Sequence, residues 1–145
     1  MRTPRRLLVV LSLLGISCAV HLDGEDWYPV HSSIERVAAE VNVHYAQMTD
    51  VASMTDARGE LDRHERAMRT RLDEVRWRVE DSGCGATGGM VGTLDEAELR
   101  LEDYLDETSG MPTVTELRDA CDRYADDMDL LLGRMMSRWG SLWCP

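Results

Sequence analysis

The chain has 145 residues, of which 27 are acidic and 16 are basic, so its formal net charge at pH 7 is -11. This length is that of one ordinary domain, so a single hydrophobic core is expected. Every basic residue is an arginine, and the acidic surplus argues against nucleic acid or anionic lipid head groups as partners, because phosphate is bound through basic patches.

The N-terminus has the layout of an export signal. Arg2, Arg5 and Arg6 form a basic region, and residues 7–16 form an apolar run that has signal-peptide length and is too short to cross a bilayer. Without these three arginines, thirteen basic residues stand against twenty-seven acidic ones, which gives a net charge of -14. We therefore expect export to a compartment in which disulfides persist.

The apolar run ends in Gly15-Ile16-Ser17-Cys18, which resembles the lipobox of bacterial lipoproteins over four residues, with glycine where that family usually has leucine. The resemblance implies that residues 1–17 are a signal peptide and that Cys18 becomes the lipidated first residue, anchored by palmitate. Because Ala19 rather than an aspartate follows the cysteine, it also implies the outer membrane. The alternative is ordinary cleavage after Ala19, which would release a soluble protein, since Ser17 and Ala19 satisfy the small-x-small rule.

The first helical hairpin is predicted over residues 32–82. Residues 18–31 carry glycine, proline and acids without a sustained period and are predicted to be a tether. Ser32 and Glu35 then form a capping box, and a second helix is predicted after a polar break at residues 53–56. The apolar stripe of the first helix is Ile34, Val37, Val41, His44, Met48 and Val51. The apolar stripe of the second helix is Leu61, His64, Met68, Leu72, Val75 and Val79.

A glycine-rich linker is predicted over residues 83–92, followed by the second hairpin over residues 93–145. The linker lacks the lysine of a phosphate-binding loop and follows no predicted strand. Two capping boxes open the next two helices, Thr93 with Glu96 and Thr113 with Glu116. The apolar stripe of the last helix is Val114, Leu117, Cys121, Tyr124, Met128, Leu131, Met135 and Leu142, with Trp139 nearby.

The chain matches itself without a gap when it is shifted by sixty residues, so that residues 34–84 lie over residues 94–144. Identical pairs in this alignment are Thr55/Thr115, Arg58/Arg118, Asp62/Asp122, Arg63/Arg123, Met68/Met128, Leu72/Leu132, Arg78/Arg138 and Cys84/Cys144. Such a repeat indicates two copies of one helical hairpin. The predicted fold is therefore all-α: an antiparallel up-down-up-down four-helix bundle over residues 32–145, built from two duplicated hairpins.

Three cysteines remain beyond Cys18, and an odd number allows one bridge at most. Cys84 and Cys144 are equivalent in the repeat, and each lies just beyond the second helix of its hairpin. Because the predicted topology brings those helix ends to the same pole, we predict a disulfide between them. Cys121 lies on the stripe of the last helix and is predicted to be a small buried hydrophobe.

The alignment superposes His44 on Tyr104 and His64 on Tyr124. Each of these residues lies ten positions from the turn of its hairpin, a distance of ~15 Å at a rise of ~1.5 Å per residue, so the four rings are predicted to share one core layer. In one interpretation histidines and tyrosines satisfy each other by hydrogen bonds, because a buried polar group left unpaired costs ~1 to 3 kcal/mol. In the alternative, His44 and His64 bind haem iron or copper, which the methionine four residues after each histidine would suit.

Patterns typical of catalysis are missing. The sequence has no C-x-x-C-H for covalent haem, no G-x-S-x-G nucleophile motif and no isolated pair of carboxylates. We therefore expect a non-enzymatic, exported cell-envelope lipoprotein without a cofactor, held at the outer membrane or in the periplasm by its lipid, with a structural or partner-binding role. The alternatives are a haem- or copper-binding periplasmic bundle and a small envelope chaperone or stress protein.

Overall fold

A computed structural model describes residues 27–85 and 87–142 of the chain, with side chains from residue 29 onward. The predicted signal peptide, Cys18 and Cys144 lie outside the described residues. The described part forms α-helices without any strand: α1 (Trp27–Asp50), α2 (Met54–Asp81), α3 (Gly88–Ser109) and α4 (Val114–Gly140). The all-helical prediction is confirmed for this part of the chain.

The helices pack as a four-helix bundle around one core. Helices α1 and α3 each pack against both α2 and α4, whereas the diagonal pair α2 and α4 meets at only a few points. The predicted apolar stripes face the interior, and the largest fully buried side chains include Trp139, Ile34, Met48, Met68, Leu72, Leu94, Leu101, Leu117 and Met128. Within the described residues, none of the helices combines the length and the hydropathy needed to cross a membrane.

Helix α1 begins at Trp27, earlier than the capping box at Ser32 predicts. Pro29 is tolerated there because the first turn of a helix has no intrahelical partners for its N–H groups. Val30 and Ser33 are both buried, and the Ser33 hydroxyl donates to the carbonyl oxygen of Pro29 at 2.8 Å. The predicted cap at Ser32 is therefore wrong, since burial of an additional turn outweighs the local capping signal.

Helix α3 begins at Gly88, within the stretch predicted as a linker, and the cap predicted at Thr93 is also wrong. Thr93 is buried inside the helix, and its hydroxyl donates to the carbonyl oxygen of Gly89 at 3.0 Å. The buried side chain of Met90 holds the first turn against the core, and Arg138 of α4 donates to Gly89 and Thr93. These tertiary contacts outweigh the low helix propensity of glycine.

Helices α2 and α4 begin at side-chain caps. The Ser53 hydroxyl accepts a hydrogen bond from the backbone N–H of Asp56 at 3.1 Å. Thr113 and Glu116 form the reciprocal capping box that the sequence predicts. After α2 the chain turns at Gly83, whose φ of 66° lies in the left-handed region that glycine adopts without steric cost.

Two arginines bind the helix ends at the turns of the two hairpins. The acceptors of Arg58 are the carbonyl oxygens of Thr108 at 2.6 Å and Met111 at 2.8 Å. The acceptors of Arg118 are the carbonyl oxygens of Met48 at 3.0 Å and Val51. Met48 and Thr108 lie in the last turns of α1 and α3, and Val51 and Met111 follow those helices. Because the last carbonyls of a helix have no intrahelical donor, each arginine caps the helix end of the other hairpin. The turn between α1 and α2 therefore lies next to the turn between α3 and α4.

Candidate functional site: a buried histidine and tyrosine layer

The four ring side chains that the sequence places in one layer lie together in the core, each no more than 1% exposed. The rings of His44 and His64 stack with centroids 3.8 Å apart and planes 10° from parallel. The rings of Tyr104 and Tyr124 stack in the same way at 4.2 Å and 11°. The two stacks meet edge to face, with centroid separations from 5.5 to 6.4 Å.

Each histidine is hydrogen-bonded to the tyrosine sixty residues further along the chain. Nε2 of His44 lies 2.9 Å from the hydroxyl of Tyr104, and Nε2 of His64 lies 3.0 Å from the hydroxyl of Tyr124. These bonds join α1 to α3 and α2 to α4. The layer therefore links all four helices through polar contacts.

The other ring nitrogen of each histidine binds a carboxylate of the neighbouring helix. Nδ1 of His44 in α1 lies 2.7 Å from Oε1 of Glu60 in α2. Nδ1 of His64 in α2 lies 2.9 Å from Oε1 of Glu40 in α1. Although each glutamate precedes a histidine of its own helix by four residues, it binds the histidine of the other helix.

This network fixes the tautomer of both imidazoles. An ionised carboxylate can only accept a hydrogen bond, so Nδ1 of His44 and of His64 must carry a proton and donate. The Nε2 atom of a neutral imidazole is then an acceptor, and the Tyr104 and Tyr124 hydroxyls donate to it. In each half of the layer the tyrosine therefore donates a hydrogen bond to the histidine, and the histidine donates one to the glutamate.

Arg63 joins the two carboxylates at the outer edge of the layer. Its Nε and Nη2 atoms bind both oxygens of Glu60 at 2.7 Å, and its Nη2 atom lies 2.9 Å from Oε1 of Glu40. The side chains of Glu40 and Glu60 are 12% and 9% exposed, whereas that of Arg63 is 36% exposed. Two carboxylates and one guanidinium leave this cluster one negative charge.

Hydrogen bonds keep both carboxylates ionised. Burial alone would raise the pKa of Glu40, but the hydrogen bonds from His64 and Arg63 and the charge of Arg63 outweigh it and hold the pKa at about 2. The pKa of Glu60 is lowered in the same way, because hydrogen bonds from Arg63 and His44 outweigh its burial. Both glutamates therefore act as acceptors at neutral pH.

Burial keeps both imidazoles neutral. It is the largest cause that lowers the pKa of His44 to about 4. The stacked His64 lowers this pKa further, whereas the hydrogen bond to Glu60 and the charge of Glu60 oppose the shift. Burial also lowers the pKa of His64, although the hydrogen bond that His64 donates to Glu40 opposes the shift. Two stacked imidazoles cannot both accept a proton without placing two positive charges face to face.

The phenols are held in the protonated form. Burial raises the pKa of Tyr104 well above its ordinary value, and contact with Cys121 raises it further. Burial is likewise the first cause of the raised pKa of Tyr124. The guanidinium of Arg100 opposes this shift from a position 5.6 Å from the centroid of the Tyr124 ring.

Glu40, Glu60 and Arg63 were not predicted from the sequence as members of the layer. A pattern in the sequence could have identified the two glutamates, since Glu40 and Glu60 each precede a histidine by four residues. The second half of the chain does not repeat them, because the residues sixty positions further on are Arg100 and Ala120. The acidic edge of the layer is therefore built by the first hairpin alone.

The geometry bears on the predicted haem or copper site at His44 and His64. All four imidazole nitrogens already bind side chains, and the rings lie face to face at 3.8 Å, which leaves no space for a haem plane between them. Within the described residues, no group of three or more histidine, cysteine or acidic side chains is placed to hold a metal ion. As arranged, the residues fit hydrogen bonding rather than metal ligation, and binding of a metal by the two histidines stays an untested prediction.

The structure places two of the predicted cysteines. Cys84 follows α2 and is 9% exposed, whereas its predicted partner Cys144 lies outside the described residues, so the bridge stays a prediction. Cys121 is 1% exposed on the inner face of α4, next to Tyr104. This burial agrees with the prediction that Cys121 is a small buried hydrophobic residue on the apolar stripe of the last helix.

Comparison with known proteins gives no match: no protein-family model, no curated protein and no solved structure matches the chain.

Proposed function

We propose that the chain is an exported, lipid-anchored protein of the cell envelope that has a structural or partner-binding role and no enzymatic activity. The basic region, the apolar run and the lipobox-like residues 15–18 support export and lipidation at Cys18. The acidic surplus supports membrane attachment through the lipid rather than through surface charge, since anionic head groups repel such a surface.

The absence of enzymatic activity is proposed because the ring layer is buried and its imidazole nitrogens are already hydrogen-bonded. Its imidazoles and phenols are the strongest candidates for chemistry in the described chain, and each is at most 1% exposed. Every imidazole nitrogen is used by a carboxylate or a phenol of the same chain. A substrate could reach these groups only if the bundle opened, so the layer gives no support to catalysis on a bound substrate. Its hydrogen bonds specify how the helices pack.

We further infer that the bundle has up-down-up-down topology and arose from a duplicated hairpin. The two histidine–tyrosine bonds each join residues sixty positions apart. The acceptors of Arg58 also lie sixty positions from those of Arg118. In this arrangement the ends of α2 and α4 share a pole, and a Cys84–Cys144 disulfide there would add ~2 to 4 kcal/mol to the free energy of unfolding.

Metabolic labelling with a palmitate analogue tests the anchor. The chain, expressed with its own N-terminal segment in a bacterium that processes lipoproteins, should be labelled and should sediment with membranes. Cys18→Ala should lose both the label and the membrane association. The matched control is Cys121→Ala, which removes a buried thiol of the bundle and should remain labelled. A Cys18→Ala protein that is labelled as strongly as the unmodified chain would rule out lipidation at this residue.

A further inference from the structure

We propose that Tyr104 and Tyr124 form a buried redox site, in which a phenol gives one electron to an external one-electron oxidant and its proton to the histidine that it binds. The site would hold a neutral tyrosyl radical inside the bundle. This inference does not rest on the lipid anchor or on export.

The first requirement of such a site is a proton acceptor in line with the phenol. A tyrosine that loses an electron becomes a very strong acid, so its oxidation needs a base that takes the hydroxyl proton as the electron leaves. In the core, where the rings are at most 1% exposed, water is not in contact to serve as that base. Nε2 of His44 and Nε2 of His64 lie 2.9 and 3.0 Å from the two phenol oxygens, and with the proton on Nδ1 each Nε2 is free to accept the hydroxyl proton.

The second requirement is stabilisation of the charge that the proton creates. When the proton moves from Tyr104 to Nε2 of His44, an imidazolium forms whose Nδ1–H already donates to the Glu60 carboxylate at 2.7 Å. A hydrogen bond between two charged groups is stronger than one between neutral groups. When Tyr124 is oxidised, the Glu40 carboxylate, 2.9 Å from Nδ1 of His64, stabilises the imidazolium of His64 in the same way.

The net charge of Glu40, Glu60 and Arg63 also favours oxidation of a phenol. Before oxidation, Glu40, Glu60 and Arg63 together carry one negative charge beside two neutral imidazoles. Loss of one electron from a phenol, with its proton retained on the neighbouring histidine, makes the cluster neutral. Oxidation thus removes an excess charge from a region of low dielectric constant, where such a charge is costly.

The reaction balances with one oxidant. The O–H bond of the phenol breaks and an N–H bond forms at Nε2, so that a phenoxyl radical faces an imidazolium, and the oxidant is reduced by one electron. Return of one electron from any reductant reverses the proton transfer and restores the phenol. Because the rings of Tyr104 and Tyr124 stack with centroids 4.2 Å apart, the radical can move from one phenol to the other. Tyr124 has its own proton acceptor, Nε2 of His64.

The experiment oxidises the full chain with a photogenerated ruthenium(III) complex and detects radicals by electron paramagnetic resonance and transient absorption. The other two tyrosines are removed in the matched control, Tyr28→Phe/Tyr45→Phe, which should still give a neutral tyrosyl radical. Tyr104→Phe/Tyr124→Phe should give none that outlives the oxidant. The proposal is overturned if a tyrosyl radical outlives the oxidant in this second variant, or if the unmodified chain gives no tyrosyl radical.

A second pair of variants tests the histidine–glutamate chain. In a Tyr28→Phe/Tyr45→Phe/Tyr124→Phe background Tyr104 is the only tyrosine left. In this background Glu60→Gln should slow formation of the Tyr104 radical by about tenfold or more, the factor that ~1.4 kcal/mol imposes on a rate. The matched control Glu80→Gln changes an exposed glutamate of α2 outside the layer and should leave that rate within about twofold. Circular dichroism confirms that each variant is folded. Equal rates for the two glutamate variants overturn the assigned route of the proton.

A measurement on the unmodified chain completes the test without any substitution. High-field electron paramagnetic resonance reports whether a charged donor is hydrogen-bonded to the phenoxyl oxygen, because such a bond lowers the largest g value. We expect this lowering, since the imidazolium N–H would lie against the radical oxygen. A g value typical of a phenoxyl radical without a hydrogen bond overturns the proposal.

Discussion

Acidification should weaken the bundle before any carboxylate of the ring layer is protonated. The pKa of His44 falls from the usual 6.5 of histidine to about 4 in the folded chain. Because the unfolded chain binds this proton more tightly than the folded chain does, the contribution of His44 is complete above pH 6.5 and is lost as the pH falls towards 4.

The structure sets the size of this effect. Each unit of pKa difference corresponds to ~1.4 kcal/mol, so the lowered pKa of His44 costs ~3 kcal/mol once it is fully protonated, of which ~2 kcal/mol is lost by pH 4.5. His64 adds to this loss, because its pKa is also lowered. The contribution of Glu40, whose pKa falls from 4.5 to about 2, is intact above pH 4.5, so the window between pH 6.5 and 4.5 reports the histidines.

Urea unfolding followed by tryptophan fluorescence at a series of pH values measures the effect. The free energy of unfolding should fall by ~2 kcal/mol or more between neutral pH and pH 4.5. His44→Gln, which does not titrate, should show a smaller fall than the unmodified chain. A free energy of unfolding that stays constant or rises across this window would refute the burial of two neutral imidazoles.

Three further predictions concern stability measured by urea unfolding. A double-mutant cycle with His44→Ala and Tyr104→Phe should give a coupling free energy of ~1 kcal/mol, and independent effects would show that the 2.9 Å contact is not a hydrogen bond. Arg58→Ala should cost ~1 to 3 kcal/mol because two helix-end carbonyls lose a charged donor, whereas Arg66→Ala, an exposed arginine of the same helix, should cost ~0.5 kcal/mol or less; similar costs would argue against the capping role. Gly133→Ala, in the interior of α4 with no atom within 4 Å of the added Cβ, should stabilise by ~0.5 to 1 kcal/mol, and a loss of stability would contradict the described packing.

The number and type of the helices could be predicted because periodicity reports burial directly. His44, His64, Tyr104 and Tyr124 stand at stripe positions, and the sixty-residue repeat gives them matched distances from the two turns. Those two facts suffice to bring the rings to one height in the bundle. The capping box predicted at Thr113 is confirmed. No buried residue among the four before Thr113 extends the helix towards the N-terminus.

The starts of α1 and α3 could not be predicted from local signals. Ser32 and Thr93 both begin the sequence pattern of a capping box, but each lies inside a helix. In both cases an apolar side chain further upstream, Val30 or Met90, is buried in the core and continues the helix. Such a contact depends on the neighbouring helices, which a window of local sequence does not contain.

The partners of the histidines were equally beyond sequence analysis. A glutamate four residues before a histidine lies on the same face of its helix, so spacing favours a contact within one helix. In the structure, α1 and α2 lie side by side, so that Glu40 reaches His64 and Glu60 reaches His44. The choice between the two pairings depends on the rotation of each helix about its axis, which periodicity defines only coarsely.

The tautomeric state of His44 and His64, read from imidazole nitrogen chemical shifts by NMR at neutral pH, is the most direct test of the hydrogen-bonded layer. Both rings should be neutral, with the proton on Nδ1 and with Nε2 as the acceptor, because the carboxylates and the phenols impose that arrangement. Protonation at Nε2 in either ring, or shifts typical of metal-bound imidazole, would contradict it.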